Sequence, residues 1–245
     1  MCKEVPNLGQ QCIDQASDSK HFQISQMDKI YSGAELRIVA AAGDNANYGL
    51  PGVSSRLRQK QAKASLPSQG ISLLQVYPTT NKKLAASVWA SRGWTLQEGY
   101  LSRRRLIFTD DQVSFLCNTM YSTESFRQDL DICIYNNMPF QNIIPSPFER
   151  GLAIAELITE FTTRRLSYSS DSLSAFLGIL QSLENVGIRH LWGVPFKKTP
   201  YGEFQFQFAI GWHHVEPSPT RRTEFPSWSW TGWEGRFGCC GNTTG

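Results

Sequence analysis

A tryptophan and a glutamate separated by one helical turn form the first candidate site of this sequence. Trp94 and Glu98 lie in the run Ser-Val-Trp-Ala-Ser-Arg-Gly-Trp-Thr-Leu-Gln-Glu, residues 87–98. On a helix with 3.6 residues per turn, this separation places both side chains on one face. We expect the indole to anchor the helix and the carboxylate to lie at a pocket edge, with Arg92 available to bind an anionic group. The same pattern is also typical of an amphipathic helix with a buried tryptophan and a solvated glutamate on its shoulder. Arg92 beside an acidic residue would equally suit a surface ion pair.

The composition is that of an ordinary globular protein. The 245 residues are 40% hydrophobic and 18% charged, and the formal net charge is +3, too small to indicate nucleic acid or a membrane surface by itself. No apolar run has the roughly 18 residues that span a bilayer, and residues 1–10 lack a basic segment followed by an apolar one. The six cysteines show neither a disulfide framework nor a zinc spacing. We therefore predict a cytoplasmic protein with reduced thiols.

The elements that must position the candidate site predict an α/β architecture. Apolar residues at three-to-four-residue intervals predict a helix over 23–34, and the apolar run 36–42 predicts a buried strand. The glycines and basic residues of 48–72 indicate an exposed irregular excursion. Two β-prone runs, 105–108 and 112–117, flank Thr109-Asp110-Asp111 and predict a hairpin.

The second half of the chain predicts further helices and aromatic strands. Residues 136–147, rich in proline and amides, are the best candidate linker, and helices are expected over 151–161 and 172–180, the latter capped by Ser170 or Asp171. Alternation predicts a strand with one aromatic face at Phe204, Phe206 and Phe208. Trp228 and Trp230 would share one face of another strand and pack in a core, although stacking on a ligand is the alternative.

Other chemistries have weaker support from the residues. Cys12 beside Asp14 lacks a recognisable histidine to form its thiolate, so packing is the better interpretation. His213 and His214 would point to opposite sides of a strand and would not chelate one metal. The basic run 103–105 and the cluster 56–63 would suit a phosphate backbone, but 21 acidic residues offset them. The motifs of nucleophile-elbow hydrolases, Rossmann proteins and P-loop proteins are missing from the sequence.

Several ordered motifs resemble the fungal heterokaryon-incompatibility (HET) domain. They are Cys12-Ile-Asp-Gln15, Gln26-Met27 with Ile30-Tyr-Ser-Gly-Ala34, Arg92-Gly-Trp-Thr-Leu-Gln-Glu98 and Leu101-Ser-Arg103. The segments 168–180 and 226–234 are similar to the tail that often follows the domain. The resemblance places the domain at about residues 11–103.

The chain departs from this family at its start. The resemblance implies an opening strand with a Ser-Tyr-x-Trp-Gly motif and a helix before Cys12, and residues 1–10 contain neither. We therefore expect an N-terminally truncated product, whose sheet lacks its first strand and exposes an edge.

The resemblance implies a role in fungal non-self recognition and programmed cell death. A more distant similarity to TIR domains, whose NAD-cleaving members carry a glutamate in a Trp-Cys-x-x-Glu pattern, suggests a chemistry. The segment from Trp94 to Glu98 keeps that spacing, with Thr95 at the cysteine position. Loss of nicotinamide passes through an oxocarbenium-like cation, which a carboxylate stabilises electrostatically. NAD would then be a substrate, and no cofactor or metal is expected.

These observations lead to one set of predictions. The fold is expected to be an α/β, TIR-like or flavodoxin-like open sheet, with a partial HET domain at 1–118, a linker region at 119–150 and a mixed helical and β-rich extension at 151–245. Glu98 is the first candidate catalytic residue, and Asp14, after its strand, is the second. Arg92 and Trp94 are the candidate substrate-binding residues. The competing hypotheses are a non-enzymatic interaction module that self-associates or binds a protein partner, and an inactive truncated product.

Overall fold

The computed structural model describes residues 20–53, 55–118, 120–125, 147–198, 204–205, 211–215, 217 and 220–239. These residues form two compact units, and each contains segments that are distant in sequence. The described part of the first unit lies within 34–90 and 103–125, and that of the second within 20–33, 91–102 and 147–239.

A four-stranded sheet with the order β1-β4-β5-β6 forms the centre of the first unit. Its strands are β1 (Arg37–Ala40), β4 (Arg104–Phe108), β5 (Val113–Cys117) and β6 (Tyr121–Thr123). β1 pairs with β4 in parallel, while β4 with β5 and β5 with β6 are antiparallel. The predicted hairpin around 109–111 is confirmed, and a strand forms within the run 36–42. The prediction that this strand is buried is wrong for most of it, because only Val39 of β1 is buried and Ile38 is 45% exposed. A flavodoxin-like sheet consists of parallel strands, and this sheet has only one parallel pair. The predicted α/β class is therefore confirmed only as a mixed fold of helices and strands, and the TIR-like or flavodoxin-like sheet is not confirmed.

One face of this sheet carries the apolar core of the first unit. Val39, Ile107 and Leu116 pack with Leu84 and Trp89 from the connection that precedes β4. The helix α3 (Thr80–Ala85) supplies Leu84, and its Thr80 hydroxyl lies 2.6 Å from Ser114 Oγ and 2.7 Å from the Tyr121 hydroxyl. These bonds satisfy the polar groups that the core encloses.

The basic run 103–105 does not form one exposed patch. Arg104 is exposed and pairs with Glu35 at 3.0 Å, whereas Arg105 is 1% exposed, on the same face as Ile107. Burial lowers the pKa of Arg105 to about 10. Strand alternation therefore directs neighbouring arginines to opposite environments.

The predicted irregular excursion at 48–72 is wrong in its second half, which forms a β-hairpin. Strands β2 (Lys63–Leu66) and β3 (Ile71–Leu74) pair antiparallel around a 3₁₀ turn at Pro67–Gln69. Gly70 follows that turn with φ 65°, a left-handed conformation that glycine adopts without steric cost. The turn residues Pro67 and Gly70 were the signal for this hairpin.

Helices dominate the second unit. They are α1 (Lys20–Ile24), α2 (Met27–Gly33), α4 (Trp94–Leu101), α5 (Pro147–Thr162) and α6 (Ser174–Glu184). The helices predicted at 151–161 and 172–180 are confirmed with shifted ends. The single helix predicted over 23–34 is wrong, because a turn at Ser25 and Gln26 divides it, and Ile30 is exposed rather than part of a buried stripe. Among the described helices none is both long and apolar enough to cross a membrane.

Short strands complete the second unit. They are β7 (Ile188–Leu191), β8 (Val194–Lys198), β9 (Phe204–Gln205), β10 (Trp212–His214) and β11 (Phe237–Cys239). β7, β8 and β9 form one antiparallel sheet, and β10 pairs with β11. The strand predicted from Phe204 is present at its first two residues, while Phe206 and Phe208 lie outside the described residues. Of the predicted linker 136–147, only Pro147 is described, and it begins α5.

Candidate functional site

The helix α4 carries the candidate catalytic and binding residues. It begins at Trp94, after Gly93 in helical conformation, and ends before Ser102, whose backbone is extended. The Ser102 hydroxyl donates to the Glu98 carbonyl at 2.7 Å, which satisfies one of the carbonyls left open at a helix C-terminus. The prediction that Trp94 and Glu98 lie one turn apart on a helix is confirmed.

Glu98 belongs to the second unit and is buried rather than solvated. Its exposed fraction is 8%, so the alternative of a solvated glutamate on the shoulder of an amphipathic helix is wrong. Enclosing a carboxylate costs free energy unless other groups stabilise it.

Trp94 fixes the start of α4 through a polar contact. Its Nε1 donates to Asp171 Oδ2 at 3.1 Å, and its indole is half-buried. The predicted role of Ser170 or Asp171 as a helix cap is wrong. α6 begins at Ser174 after Leu173, which makes no side-chain capping bond, and Asp171 lies in the preceding 3₁₀ turn. Asp171 therefore stabilises Trp94 instead of the first turn of α6.

Close packing against α6 holds the middle of α4. Gln97 is fully buried, and its Oε1 accepts from Gly178 N at 3.1 Å. A Cβ at Gly178 would lie 2.6 Å from Gln97 Oε1, 3.1 Å from Leu101 Cδ1 and 3.2 Å from Asp28 N. These distances leave no space for a side chain, so the glycine permits the close approach of α2, α4 and α6. In the described part of the chain, Gln97 Nε2 and Asp28 Oδ1 are buried without a hydrogen-bond partner.

Two exposed arginines lie beside the first turn of α4. Arg92 and Arg165 form an isolated parallel bridge, in which Gly93 N donates to Arg165 O at 2.8 Å and Arg165 N to Ser91 O at 2.7 Å. Arg165 Nη2 also donates to Ser91 Oγ at 3.1 Å. Like charges directly opposite each other on paired segments are unfavourable.

A third guanidinium group lies beneath this bridge. The Arg164 side chain is 5% exposed and pairs with Glu160 on the preceding turn of α5. Its Nη1 donates to Thr95 Oγ1 at 3.2 Å and to the Arg92 carbonyl at 3.4 Å. Arg164 thus connects the end of α5 to the start of α4. Sequence analysis missed Arg164 and Arg165, although the adjacent arginines at the end of a predicted helix were a visible signal.

Within the tryptophan cluster near residue 230, Trp230 packs in the core. Trp230 is 1% exposed, and its ring meets Phe161 and Phe176 edge-on at centroid distances of 5.6 and 5.5 Å. Its Nε1 donates to Gly193 O at 3.0 Å. The strand predicted for Trp228 and Trp230 is wrong, because Trp230 begins a 3₁₀ turn that ends at Gly232. The two tryptophans consequently differ in burial, since Trp228 is 47% exposed.

The remaining candidates contribute little to a site that the structure describes. Asp14 and Cys12 lie outside the described residues. His213 and His214 lie on β10 as adjacent residues, and no group of three metal-ligating side chains occurs within the described ranges. The structure places Trp94 and Glu98 on α4, with Arg92, Arg164 and Arg165 beside the first turn of that helix.

Comparison with known families defines the class of domain in the first part of the chain. Residues 9–98, which include α4 through Glu98, match the model of a family of incompatibility proteins. The description of that family is Heterokaryon incompatibility protein (HET), so the resemblance predicted from the motifs is confirmed over this segment. Searches of curated proteins and of solved structures gave no match, and the predicted similarity to TIR domains gains no support from them.

Proposed function

We propose that this protein acts in fungal non-self recognition and triggers cell death by cleaving NAD, with Glu98 as the catalytic carboxylate. The observation that carries the proposal is the buried Glu98 on a helix whose first turn lies beside three arginines, Arg92, Arg164 and Arg165. An enclosed carboxylate acts on a developing cation through a lower dielectric than a solvated one. The arginines add the positive charge that a dinucleotide diphosphate requires.

The proposed reaction is hydrolysis of the bond between nicotinamide and ribose. The bond from ribose C1′ to the pyridinium nitrogen breaks, and its electron pair leaves with neutral nicotinamide. Positive charge develops on the ribose, where the Glu98 carboxylate stabilises it and accepts a hydrogen bond from a ribose hydroxyl. Water then adds to C1′ and releases one proton, which gives ADP-ribose. The proposed step involves no change of redox state.

The other candidate residues have separate roles in this proposal. Arg92 and Arg165 bind the diphosphate, and its negative charge relieves the repulsion between them. Trp94 is a positioning residue, since its bond to Asp171 fixes the turn of α4 that precedes Glu98. Asp14 remains the second candidate for the carboxylate from the sequence prediction, and it becomes the first candidate if Glu98 proves dispensable.

Inducible expression in a fungal host tests the proposal, with viability and total NAD followed in the same cultures. Glu98→Gln keeps the shape of the side chain and removes its charge, and Glu156→Gln alters an exposed glutamate of α5 as the matched control. We expect the unaltered chain and the control to lower both NAD and viability, and Glu98→Gln to abolish both. NAD loss by a Glu98→Gln protein with an unchanged melting temperature would contradict the proposal.

Substitutions of the exposed arginines give a second test that does not alter the core. Arg92→Gln and Arg165→Gln should raise KM for NAD in the purified protein while leaving kcat nearly unchanged, because they remove ground-state binding. Arg103→Gln, which alters another exposed arginine, is the control. An unchanged KM in both variants would show that the diphosphate binds elsewhere.

A non-enzymatic interaction module is the second candidate function, favoured by the exposed apolar residues of the β2–β3 hairpin. In that case death follows from assembly with a partner, NAD content stays constant, and Glu98→Gln has no effect. Substitutions in the hairpin would then abolish death. The two candidate functions are separated by measuring NAD and viability together.

A further inference from the structure

The β2–β3 hairpin presents an apolar face to solvent. All the residues of β2 and β3 are exposed, and among the described strands these two pair only with each other. The cross-strand pairs Ala64–Leu73 and Leu66–Ile71 lie on one face, and Leu73 is 56% exposed. A two-stranded hairpin is marginally stable by itself in water. Addition of strands would stabilise it.

The two edges of the hairpin differ in what they offer to another strand. Gln75 N donates to Ala62 O at 2.9 Å, and the antiparallel alternation then directs the N–H and C=O groups of Ser72 and Leu74 away from β2. The sequence from Gly70 to Pro78 contains no charged residue. The β3 edge therefore lacks the lysines that commonly protect an exposed edge strand.

The β2 edge is blocked by its own residues. The groups that point outward there belong to Lys63 and Ser65, by the same alternation. A copy of β2 centred on Ser65 would place Pro67 opposite Lys63, where proline has no N–H to donate. The Lys63 charge also lies on this edge, and Lys60 precedes it by three residues. Edge pairing is consequently favoured at β3 alone.

We propose that β3 pairs antiparallel with β3 of a second copy of this chain, around a two-fold axis at Ser72. In this register Ser72 faces Ser72 of the other copy, Ile71 faces Leu73, and Leu74 faces Gly70. The N–H and C=O groups of Ser72 bond to those of Ser72 in the other copy, and Leu74 N–H donates to Gly70 O, while Gly70 N keeps its bond to Pro67 O of its own turn. The apolar faces of the two hairpins join into one face of a four-stranded sheet, which contains the three or more strands that independent stability requires.

The segment is complementary to itself, and this selects a second copy as the partner. The two-fold register is isologous. It brings Ile71 of each copy next to Leu73 of the other, and it places no charge opposite another. The contact is small and lies below the roughly 1,200 Å² of standard interfaces. The dimer is therefore concentration-dependent. This inference concerns assembly alone and holds whether or not the protein cleaves NAD.

Cysteine cross-linking of the full-length chain tests the inference. Ser72→Cys places two thiols at the proposed axis, where directly opposed hydrogen-bonded residues have Cα atoms about 5.5 Å apart, within disulfide range. Ser65→Cys is the matched control, since Ser65 lies opposite Ser72 on the blocked edge of the same hairpin. After mild oxidation of the Ser72→Cys protein we expect mass spectrometry to find two copies of its β3 peptide joined by a disulfide. The Ser65→Cys protein should give no corresponding pair of β2 peptides.

Sedimentation velocity of the chain without added cysteines gives the second measurement. We expect a monomer–dimer equilibrium, and Leu73→Lys should weaken it about tenfold because two symmetric cross-strand contacts are lost. Because Leu73 is exposed, this variant should fold normally. A monomer at all concentrations, or equal cross-linking of Ser72→Cys and Ser65→Cys, would overturn the proposal. NAD cleavage by a monomeric protein would leave the proposed function intact while this inference fails.

Discussion

Replacing Gly178 by alanine should strongly destabilise the second unit. The added methyl would lie 2.6 Å from Gln97 Oε1 and 3.2 Å from the backbone nitrogen of Asp28. Gln97 can rotate away, but this breaks its 3.1 Å bond with Gly178 N, and the backbone of α2 cannot move without repacking. Overpacking of a core costs about 1–3 kcal/mol and a lost buried hydrogen bond about 1 kcal/mol. We therefore expect a loss of about 2–4 kcal/mol in the free energy of unfolding.

Thermal and urea unfolding followed by circular dichroism measure this loss. For a chain of this length it corresponds to a fall of roughly 5–15 °C in Tm. Gly33→Ala is the control, because nothing lies within 4 Å of a Cβ at that position, and it should be neutral or slightly stabilising. In the Gln97→Ala background, Gly178→Ala should cost less, since part of its clash is gone. A Gly178→Ala protein as stable as the parent would refute the close approach of these helices.

Two further predictions concern the second unit. Trp230→Phe removes the donor to Gly193 O and opens space beside Phe161 and Phe176. It should lower the free energy of unfolding in urea by about 2–3 kcal/mol, whereas Trp228→Phe, at an exposed position, should lower it by less than about 0.5 kcal/mol. Equal losses in the two variants would contradict the packing role of Trp230. Burial lowers the pKa of His190, although Glu184 partly opposes this. The neutral imidazole is therefore preferred in the fold, and its contribution to stability is present above the ordinary pKa of about 6.5 and lost as pH falls through the folded-state pKa. His190→Gln should flatten the loss of Tm between pH 7 and pH 5. An unaltered slope in His190→Gln would refute the assignment.

Local sequence patterns predicted the elements whose residue types and apolar spacing match the structure that forms. The run Arg-Ile-Val-Ala became β1 because its β-branched residues suit a strand, and the apolar period of 174–184 became α6 because one face is buried. The hairpin at 63–74 was missed because both of its faces are exposed, which removes the alternation that normally identifies a strand. The Trp228–Trp230 strand failed since Ser229 accepts from Thr231 N and closes a 3₁₀ turn instead.

The candidate site was only partly predictable for a related reason. The helical spacing of Trp94 and Glu98 is local and could be read directly. The contacts of that helix with Asp171, Arg164 and Gly178 join positions about 70–80 residues apart, and no periodicity carries such information. Sequence analysis accordingly assigns Asp171 to the nearest helix, although its carboxylate accepts from the distant Trp94 indole.

The composition of the second unit from three separate chain segments has a consequence for synthesis. α4 leaves the ribosome long before α6, and the Trp230 region that packs on Phe161 and Phe176 follows later still. Contacts between such distant positions form slowly, because the intervening loop must first be closed. The helix bearing Glu98 therefore remains without its packing partner until α6 has been translated. Nascent chains should depend on chaperones during that interval, and translation beyond Glu98 becomes a requirement for a folded candidate site.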